Sequence, residues 1–309
     1  MSIVTVITVG RDDDYGGAFL QRFNMSIRTN IEYLSSENID FDYLIVDWFP
    51  YTKDGKVKYL HDNDTCKDIY ENSNVHGLVV DNSISKTENL NKKSFYELFA
   101  KNAGVRHSNT EWVLIVNSDV IIPPDLCKEV KSIIENNKPD SSNEDVFYRT
   151  RFRTEINPCK DIHLAVEDAL SRPGQKGTND FLGHIVDIDK DLNPDNHVLG
   201  AFGGDFLLLR KNIFEEIGKG YDETNEGHRS KSKRQSTMDT ELLLNLHKNG
   251  ARLRHLMSPY IHIMHDHPFR YNRTEEAFNG DGYSNKDNWG FIDYPKKQCE
   301  NTELKILKI

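Results

Sequence analysis

The sequence predicts an α/β domain with a mostly parallel central sheet flanked by helices. The first observation is the run Trp112–Val116, which is apolar at every position and lacks the alternation of a half-exposed strand. Such runs are typical of parallel strands that are buried on both faces. The second is the order of predicted strands and helices in the first half of the chain, which favours right-handed crossovers in an open sheet. The third is length, because 309 residues can bury a large core.

The first half of the chain, residues 1–135, contains the alternating elements. Apolar and β-branched runs predict strands over 3–9, 41–48, 75–81 and 112–116. Apolar residues spaced three and four positions apart predict helices over 20–34, 95–104 and 126–134. We expect Gly104 to end the second helix, since glycine is common just after the last helical residue.

A second half is predicted at 145–268, after the polar segment 136–145. Its first stretch, 146–153, alternates in character and predicts an antiparallel strand with Arg149, Arg151 and Arg153 on a solvated face. Further strands are predicted over 201–210, 252–256 and 260–264, with helices over 212–217 and 239–246. The tail, 269–309, is polar and aromatic and is interpreted as a segment that covers the same single domain.

Composition excludes several classes of protein. The chain has 39 basic and 49 acidic residues, a net charge of −10, which disfavours a nucleic-acid partner. The four cysteines form no CxxC pair, so no zinc site is indicated and the thiols are expected to be reduced. Ser2–Val9 is too short for a signal peptide, and no run approaches the ~18 apolar residues of a membrane span. We therefore expect a soluble, cytoplasmic protein.

Asp119 is the first candidate functional residue, because it follows the buried run Trp112–Val116. Ligands of open α/β sheets bind outside the carboxyl ends of the strands. A carboxylate there is a suitable ligand for Mg²⁺ or Mn²⁺ beside a diphosphate. The alternative is an aspartate that only caps the following turn. The loop 10–17, after the first strand, is rich in glycine and carboxylates and is also placed to meet a ligand.

Five stretches, taken in order, resemble the GT-A nucleotide-sugar glycosyltransferases, particularly the inverting family that includes polysaccharide synthases. The resemblance covers residues 3 to about 267 and implies a GT-A fold, a Rossmann-like, mostly parallel sheet with a small antiparallel sheet on the acceptor side. The last stretch resembles the acceptor-side block of galactosyl- and N-acetylgalactosaminyltransferases. The five are 3–17, the strand that ends in Asp47, 100–104, 113–119, and 203–223 together with Asp239-x-Glu241.

The resemblance implies a nucleotide-sugar donor, with UDP favoured, and a divalent cation, Mn²⁺ or Mg²⁺. Asp47 stands where the family has an acid that contacts uracil. Asp119 would be a metal ligand, with His265 or His267 completing the site, although histidines at 255, 262, 265 and 267 fit ordinary strand positions equally well. Asn117 stands where relatives have an upstream acid, and it would add no charge. The implied donor-binding residues are Val9, Arg11, Asp47, Asn102, Asn117, Ser118 and Gly204.

On the acceptor side, the resemblance implies that Asp239 is the general base that takes the proton of the attacking hydroxyl, which would invert the anomeric centre. The alternative for Asp239 is a plain helix N-cap. Asp205 and Glu241 are the implied acceptor-binding residues, and the acceptor is a hydroxyl of a glycan, a protein or a lipid. The basic loop 227–237 is either a clamp on the pyrophosphate or a solvated loop.

Other functions remain to be weighed. One is a retaining GT-A transferase. Another is a degenerate, non-catalytic module that binds a sugar or a nucleotide, which Asn117 and Met238 favour because relatives have acids there. A sugar-nucleotide pyrophosphorylase shares this kind of sheet, but the run Gly10–Asp14 is too acidic to hold a triphosphate.

Overall fold

The structure is a computed structural model that describes residues 2–53, 56–84, 95–136, 145–150, 152–171, 205–223, 238–265, 285, 289–293, 296–298 and 304–307. The strands of the first half are β1 (Val4–Gly10), β2 (Phe41–Trp48), β3 (Tyr51–Lys53), β4 (Lys56–Lys58), β5 (Val75–Val80), β6 (Trp112–Val116) and β7 (Val120–Ile121). Those that follow are β8 (Val146–Thr150), β9 (Arg153–Ile156), β10 (Phe206–Arg210), β11 (Arg252–Leu256), β12 (Tyr260–Ile263), β13 (Lys296–Gln298) and β14 (Leu304–Leu307). The longer helices are α1 (Phe19–Ser36), α2 (Glu97–His107), α3 (Pro124–Asn136), α4 (Ile162–Ser171) and α5 (Met238–Lys248).

A nine-stranded sheet runs through both halves of the chain in the order β11-β8-β10-β6-β1-β2-β5-β14-β13. The neighbours of β1 and β2 are all parallel to them, and β5 is also parallel to β14. The strand β10 runs antiparallel between β6 and β8. The predicted fold class, a mostly parallel sheet flanked by helices, is confirmed.

A second, three-stranded sheet lies beside the main one in the order β7-β12-β9. Its central strand, β12, is antiparallel to β7 and parallel to β9, so the small sheet that the sequence predicts is mixed rather than purely antiparallel. The pairing places His262 opposite Val120, the residue after Asp119. This register brings a distant strand to the end of β6.

The core has one apolar cluster on each face of the main sheet. In β1, for example, Val4 and Val6 belong to one cluster, while Ile7 and Val9 belong to the other. Every residue of β1 and β6 is buried, as expected for central strands covered on both sides. In the described residues, no helix is both long and apolar enough to cross a bilayer.

Two local predictions are wrong for identifiable reasons. Helix α2 continues past Gly104 to His107, and a Cβ on Gly104 would lie 2.5 Å from the side chain of Ile7. This glycine therefore permits close packing of the helix on β1 instead of ending the helix. The stretch 146–153 contains two strands rather than one. All of β8 is buried, including Arg149, so it has no solvated face; Arg151 lies outside the described residues.

Other elements differ from the prediction only in detail. The short helix predicted over 212–217 is a π-helical turn, Ile213–Ile217. Asp239 lies in α5, and the residues that precede Met238 lie outside the described residues, so the N-cap alternative for Asp239 is not tested.

Candidate active site

The candidate site lies at the carboxyl ends of β6, β1 and β2, where a parallel sheet commonly binds its ligands. After β6, the chain turns through Asn117 and Ser118 to Asp119, and the Val120 N–H donates to the Asn117 carbonyl over 3.1 Å. The Ile263 N–H donates to the carbonyl of Asp119 over 2.8 Å. The first bond closes the turn that leads into β7, and the second ties Asp119 to β12 of the small sheet.

Asp119, His262 and His265 form the one group of potential metal ligands found in the described part of the chain. The Nε2 atoms of His265 and His262 lie 3.0 and 3.5 Å from Asp119 Oδ2. One ligand atom from each residue falls within 4.8 Å of the others. The side chains are 12%, 6% and 3% exposed for Asp119, His262 and His265, so the group is almost completely shielded from water.

The protonation of Asp119 is determined by competing effects. Burial alone would raise the pKa of this carboxyl, because low dielectric disfavours the charged form. Hydrogen bonds from His262 and His265, together with their charges, outweigh burial and lower the pKa well below its ordinary value. Asp119 is therefore a carboxylate and remains available as an anionic ligand.

The residues of this group fit a divalent cation. They offer one carboxylate oxygen and two imidazole nitrogens, a donor set found with first-row transition metals. His262 Nδ1 is buried and has no hydrogen-bond partner among the described residues. A histidine that binds a cation through Nε2 carries its proton on Nδ1, which is the atom left over here.

Asn117 lies beside this group but is engaged elsewhere. Its Oδ1 accepts a hydrogen bond of 2.8 Å from the Lys101 ammonium, and its Nδ2 donates over 2.8 Å to Asp205 Oδ1. Lys101 is completely buried and also pairs with Glu97 at 2.7 Å. The amide of Asn117 thus joins the buried Lys101 ammonium to the Asp205 carboxylate. An ionised aspartate at this position has no N–H and could not donate to Asp205.

Asp205, an expected acceptor-binding residue, is held by three side chains. Besides Asn117, its Oδ2 accepts hydrogen bonds from the Tyr260 hydroxyl at 2.6 Å and from Arg153 NH1 at 3.0 Å. Burial raises the pKa of Tyr260 well above its usual value, so the phenol stays protonated and its hydroxyl donates a hydrogen bond to Asp205. A carboxylate has about four acceptor positions, so one remains for a ligand. The sequence predicted that Arg153 faces solvent. In the structure it makes ion pairs with Asp205 and Glu155 instead.

Asp47 lies at the end of β2, on the other side of β1 from β6. Its Oδ2 accepts a hydrogen bond of 2.8 Å from the Leu60 N–H, whereas its buried Oδ1 has no partner among the described residues. Burial raises its pKa to about 7, against the smaller opposing effect of the Leu60 hydrogen bond. Asp47 is thus a half-satisfied acceptor at the strand end.

The loop after β1 closes over the metal-ligand group. The guanidinium of Arg22, on α1, donates to the carbonyls of Tyr15 and Gly17. The ring of Tyr15 then lies 5.5 Å from the ring of His265, centroid to centroid. Arg11, next to Gly10, pairs with Asp13 at 2.5 Å.

Asn102 serves the fold through every polar atom of its side chain. It exchanges hydrogen bonds of 2.8 Å with the backbone N–H and carbonyl of Tyr221 and donates to Glu223 Oε1 over 2.8 Å. Gly220, at φ 73°, makes this turn possible, since a Cβ there would lie 3.0 Å from the Asn102 amide oxygen. The clamp joins α2 to the second half of the chain.

The other expected site residues are placed as follows. Val9 is buried inside β1, and the carbonyl of Ser118 accepts a hydrogen bond from the Ser26 hydroxyl. Glu241 lies in α5, half-buried. Gly204 and His267 lie outside the described residues.

Sequence reasoning did not single out His262 as a potential metal ligand, and it missed the positions of Glu155 and Tyr260 beside this group. His262 was visible only as one of several histidines near the end of the chain. The decisive signal is the pairing of β12 with β7, which sets His262 beside Asp119. No local pattern in the sequence encodes that pairing.

No protein-family model matches the sequence, and a search of curated proteins found no match. Among solved structures, the chain is similar to S. aureus TarS 1-349, with a TM-score of 0.50 and 13% identity over 84% of this chain and 60% of that one. It is also similar to the catalytic domain of Drosophila beta1,4-galactosyltransferase 7 in complex with xylobiose (TM-score 0.44, 9% identity, 100% of this chain and 93% of that one). A third similarity is to the glycosyltransferase GlyE of Streptococcus pneumoniae (TM-score 0.37, 13% identity, 82% of this chain and 45% of that one).

The similarity to the TarS fragment, at 13% identity, shows the fold alone. The chain spans about 60% of the length of the TarS fragment. The architecture of this protein is the GT-A fold. Asp119 follows β6 of a mostly parallel sheet, and the antiparallel strand β10 lies next to β6.

Proposed function

We propose that this protein is a divalent-metal-dependent glycosyltransferase that moves a hexosyl or N-acetylhexosaminyl group from a nucleotide sugar to a hydroxyl acceptor. The observation that carries the proposal is the buried group of Asp119, His262 and His265 at the carboxyl end of β6 in a GT-A sheet. Ligands of open α/β sheets bind in the crevice outside the carboxyl ends of the strands, which is where this group lies.

Asp119, His262 and His265 are the residues that would hold the cation, and His267 is retained as a further candidate. When bound, a divalent cation neutralises the charge that develops on a diphosphate leaving group. Two imidazoles and one carboxylate favour Mn²⁺ over Mg²⁺, because Mg²⁺ prefers an all-oxygen environment.

The nucleotide is proposed to lie across β1, between Asp119 and Asp47. The two aspartates follow strands that are separated by two strand spacings, or about 10 Å. Asp47 Oδ1 is a buried acceptor without a partner among the described residues, and this supports an N–H donor on the base. Uracil carries such a group at N3, so a UDP-sugar is the favoured donor. Val9, Arg11, Asn102, Asn117, Ser118 and Gly204 remain the other proposed donor-side residues.

For the acceptor, Asp239 is proposed as the general base, with inversion at the anomeric carbon. The resemblance of Asp239-x-Glu241 to the acceptor-side block of galactosyl- and N-acetylgalactosaminyltransferases supports this role. Asp205 and Glu241 are proposed to bind acceptor hydroxyls, Asp205 through its remaining acceptor position. A glycan, a protein or a lipid would supply the hydroxyl.

A non-catalytic binding module is the second candidate, and Asn117 is the observation that favours it. The amide is held by Lys101 and Asp205, so it brings no charge to the metal-ligand group. A site with a single carboxylate ligand has less negative charge with which to hold a cation. A retaining transferase remains an outcome that stereochemical analysis of the product would reveal.

The test is hydrolysis of a panel of nucleotide sugars with Mn²⁺, with Mg²⁺ and with chelator, on wild type and Asp119→Asn. We expect slow release of free UDP from one donor, lost with chelator and in the variant. Asp125→Asn, on the exposed face of α3, is the matched control and should release UDP at the wild-type rate. Nucleotide binding that is independent of metal, with no release from any donor, would favour the binding module.

A further inference from the structure

The inference concerns how His262 is oriented, and it rests on the proposed metal site. His262 is 5% exposed, and its Nε2 faces Asp119 Oδ2 at 3.5 Å. Its Nδ1 faces away from Asp119 and has no hydrogen-bond partner among the described residues. A buried ring nitrogen without a hydrogen-bond partner costs about 1–3 kcal/mol, whether it is a donor or an acceptor.

Glu155 is the carboxylate placed to accept a hydrogen bond from Nδ1 of His262. It lies on β9, directly opposite His262 in the parallel pairing of β9 with β12. Its Oε1 is 3.9 Å from His262 Nδ1, about 1 Å beyond hydrogen-bond length. A small rotation of the imidazole closes this gap while Nε2 continues to face Asp119.

Glu155 is itself held by Arg153, which joins it to Asp205 in one network of polar side chains. Arg153 donates to Glu155 Oε1 over 2.7 Å and to Asp205 Oδ2 over 3.0 Å. Asp205 is in turn fixed by Tyr260 and Asn117. The carboxylate that faces His262 is therefore part of a rigid polar network and is not a freely rotating surface side chain.

Two simpler roles for Glu155 are a direct ligand and a partner for Arg153 alone. Glu155 is not a member of the compact ligand group of Asp119, His262 and His265. Arg153 already has a carboxylate partner in Asp205, so its charge does not require Glu155. Neither role accounts for the proximity of Glu155 to the unpartnered nitrogen of His262.

We propose that Glu155 is a positioning residue that accepts a hydrogen bond from Nδ1–H of His262. This bond fixes the tautomer of the imidazole and leaves Nε2 free to bind a divalent cation. Carboxylates that orient a metal-binding histidine in this way raise its basicity, and their loss costs about 10- to 100-fold in metal affinity. Glu155 is thus assigned a function through His262 and without contact with the cation or the sugar nucleotide.

The experiment measures Mn²⁺ affinity, from the electron paramagnetic resonance signal of free Mn²⁺, for the whole chain without nucleotide. Wild type is compared with Glu155→Ala, His262→Ala and the double variant. We expect Glu155→Ala to weaken Mn²⁺ binding about 10- to 100-fold, and to have almost no further effect once His262 is alanine. An unchanged affinity in Glu155→Ala, or an equal loss with and without His262, would overturn the proposal.

The matched control is Glu32→Ala. Glu32 also pairs with a histidine, His163, at 3.0 Å, but on the exposed surface of α1. We expect it to leave Mn²⁺ affinity unchanged. If Glu155→Ala fails to fold by circular dichroism, Glu155→Gln replaces it. Glutamine removes the charge but not the bulk, and it should weaken binding in the same direction; wild-type affinity in a folded Glu155→Gln would contradict the proposal.

The outcomes separate this inference from the proposed function. If wild type binds Mn²⁺ and His262→Ala weakens binding while Glu155→Ala does not, the metal site stands and the role of Glu155 is overturned. If wild type and His262→Ala bind Mn²⁺ equally, His262 is not a ligand, and both the metal site and this inference fail.

Discussion

Asp47 and Asp119 occupy equivalent positions, and yet their surroundings drive their charges in opposite directions. Each is a buried aspartate at the carboxyl end of a parallel strand, on either side of β1. Burial raises the pKa of Asp47 to about 7, because one backbone N–H is its main compensation. For Asp119, His262 and His265 outweigh burial and lower the pKa. Both aspartates are therefore placed by the strand that they end or follow, whereas their protonation depends on the neighbouring residues from other segments.

The largest expected effect is on metal binding. Asp119→Asn removes the one carboxylate of the ligand group, and we expect Mn²⁺ affinity to fall by at least about 100-fold, more than for an orienting residue. Isothermal titration with Mn²⁺ measures it. Asp47→Asn is the paired variant across β1, and its Mn²⁺ affinity should be that of wild type. Equal losses in the two variants would erase the distinction between the two aspartates.

The next effect is on stability, and it distinguishes Asp47. Its pKa is raised from 3.8 to about 7 on folding, so the native state binds the extra proton and loses stability as pH rises between these values. We expect Asp47→Asn to gain roughly 2–3 kcal/mol relative to wild type between pH 5 and pH 8. Urea denaturation at both pH values measures the difference. A gap between variant and wild type that does not change with pH would contradict this environment for Asp47.

A smaller effect is expected at Asn117. Asn117→Asp would remove the donor to Asp205 and set two carboxylates against each other, partly offset by the Lys101 ammonium. We expect a loss of about 1–3 kcal/mol in the free energy of unfolding at pH 7, measured by urea denaturation. Asp125→Asn, on the surface of α3, should leave stability unchanged. A stabilised Asn117→Asp would mean that Lys101 dominates this network.

The smallest expected effect is on nucleotide affinity. Asp47 Oδ1 is proposed to accept a hydrogen bond from the N–H of the base. An ionised carboxylate accepts this bond best, so UDP binding should tighten as pH rises through about 7. The gain is expected to be up to about 10-fold, because the ionised fraction of a carboxyl with a pKa of about 7 rises about tenfold between pH 6 and pH 8. Titration of UDP at pH 6 and pH 8 measures it, and Asp47→Asn corrects for the titration of the phosphate. An identical pH dependence in the variant would remove Asp47 from the nucleotide site.

The two aspartates also mark what the sequence could predict. Apolar runs revealed β2 and β6; Asp47 is the penultimate residue of β2, and Asp119 follows β6 by three residues. These signals are local, since strand burial is written in consecutive side chains. The order of such elements predicted an open, mostly parallel α/β sheet, and the resemblance of five stretches to known transferases implied the GT-A fold.

Apart from His265, which the resemblance had indicated, the partners of these aspartates could not be predicted, because they depend on pairing between distant segments. His262 reaches Asp119 through β12, and Glu155 reaches His262 through β9. Gly104 gave a misleading local signal, since its small size serves contact with Ile7 on another element. Arg149 similarly appeared to be a surface residue in a sequence alternation, but both faces of β8 are covered.

The central claim is that Asp119, His262 and His265 together bind the cation that accompanies a nucleotide diphosphate. The most direct test is a crystal of the protein grown with MnCl₂ and UDP, with data collected for anomalous scattering from manganese. The account predicts a peak about 2.0–2.3 Å from Asp119 Oδ2 and from the Nε2 atoms of both histidines, with the diphosphate in contact with it. Ordered UDP with no anomalous peak among these three residues would contradict it.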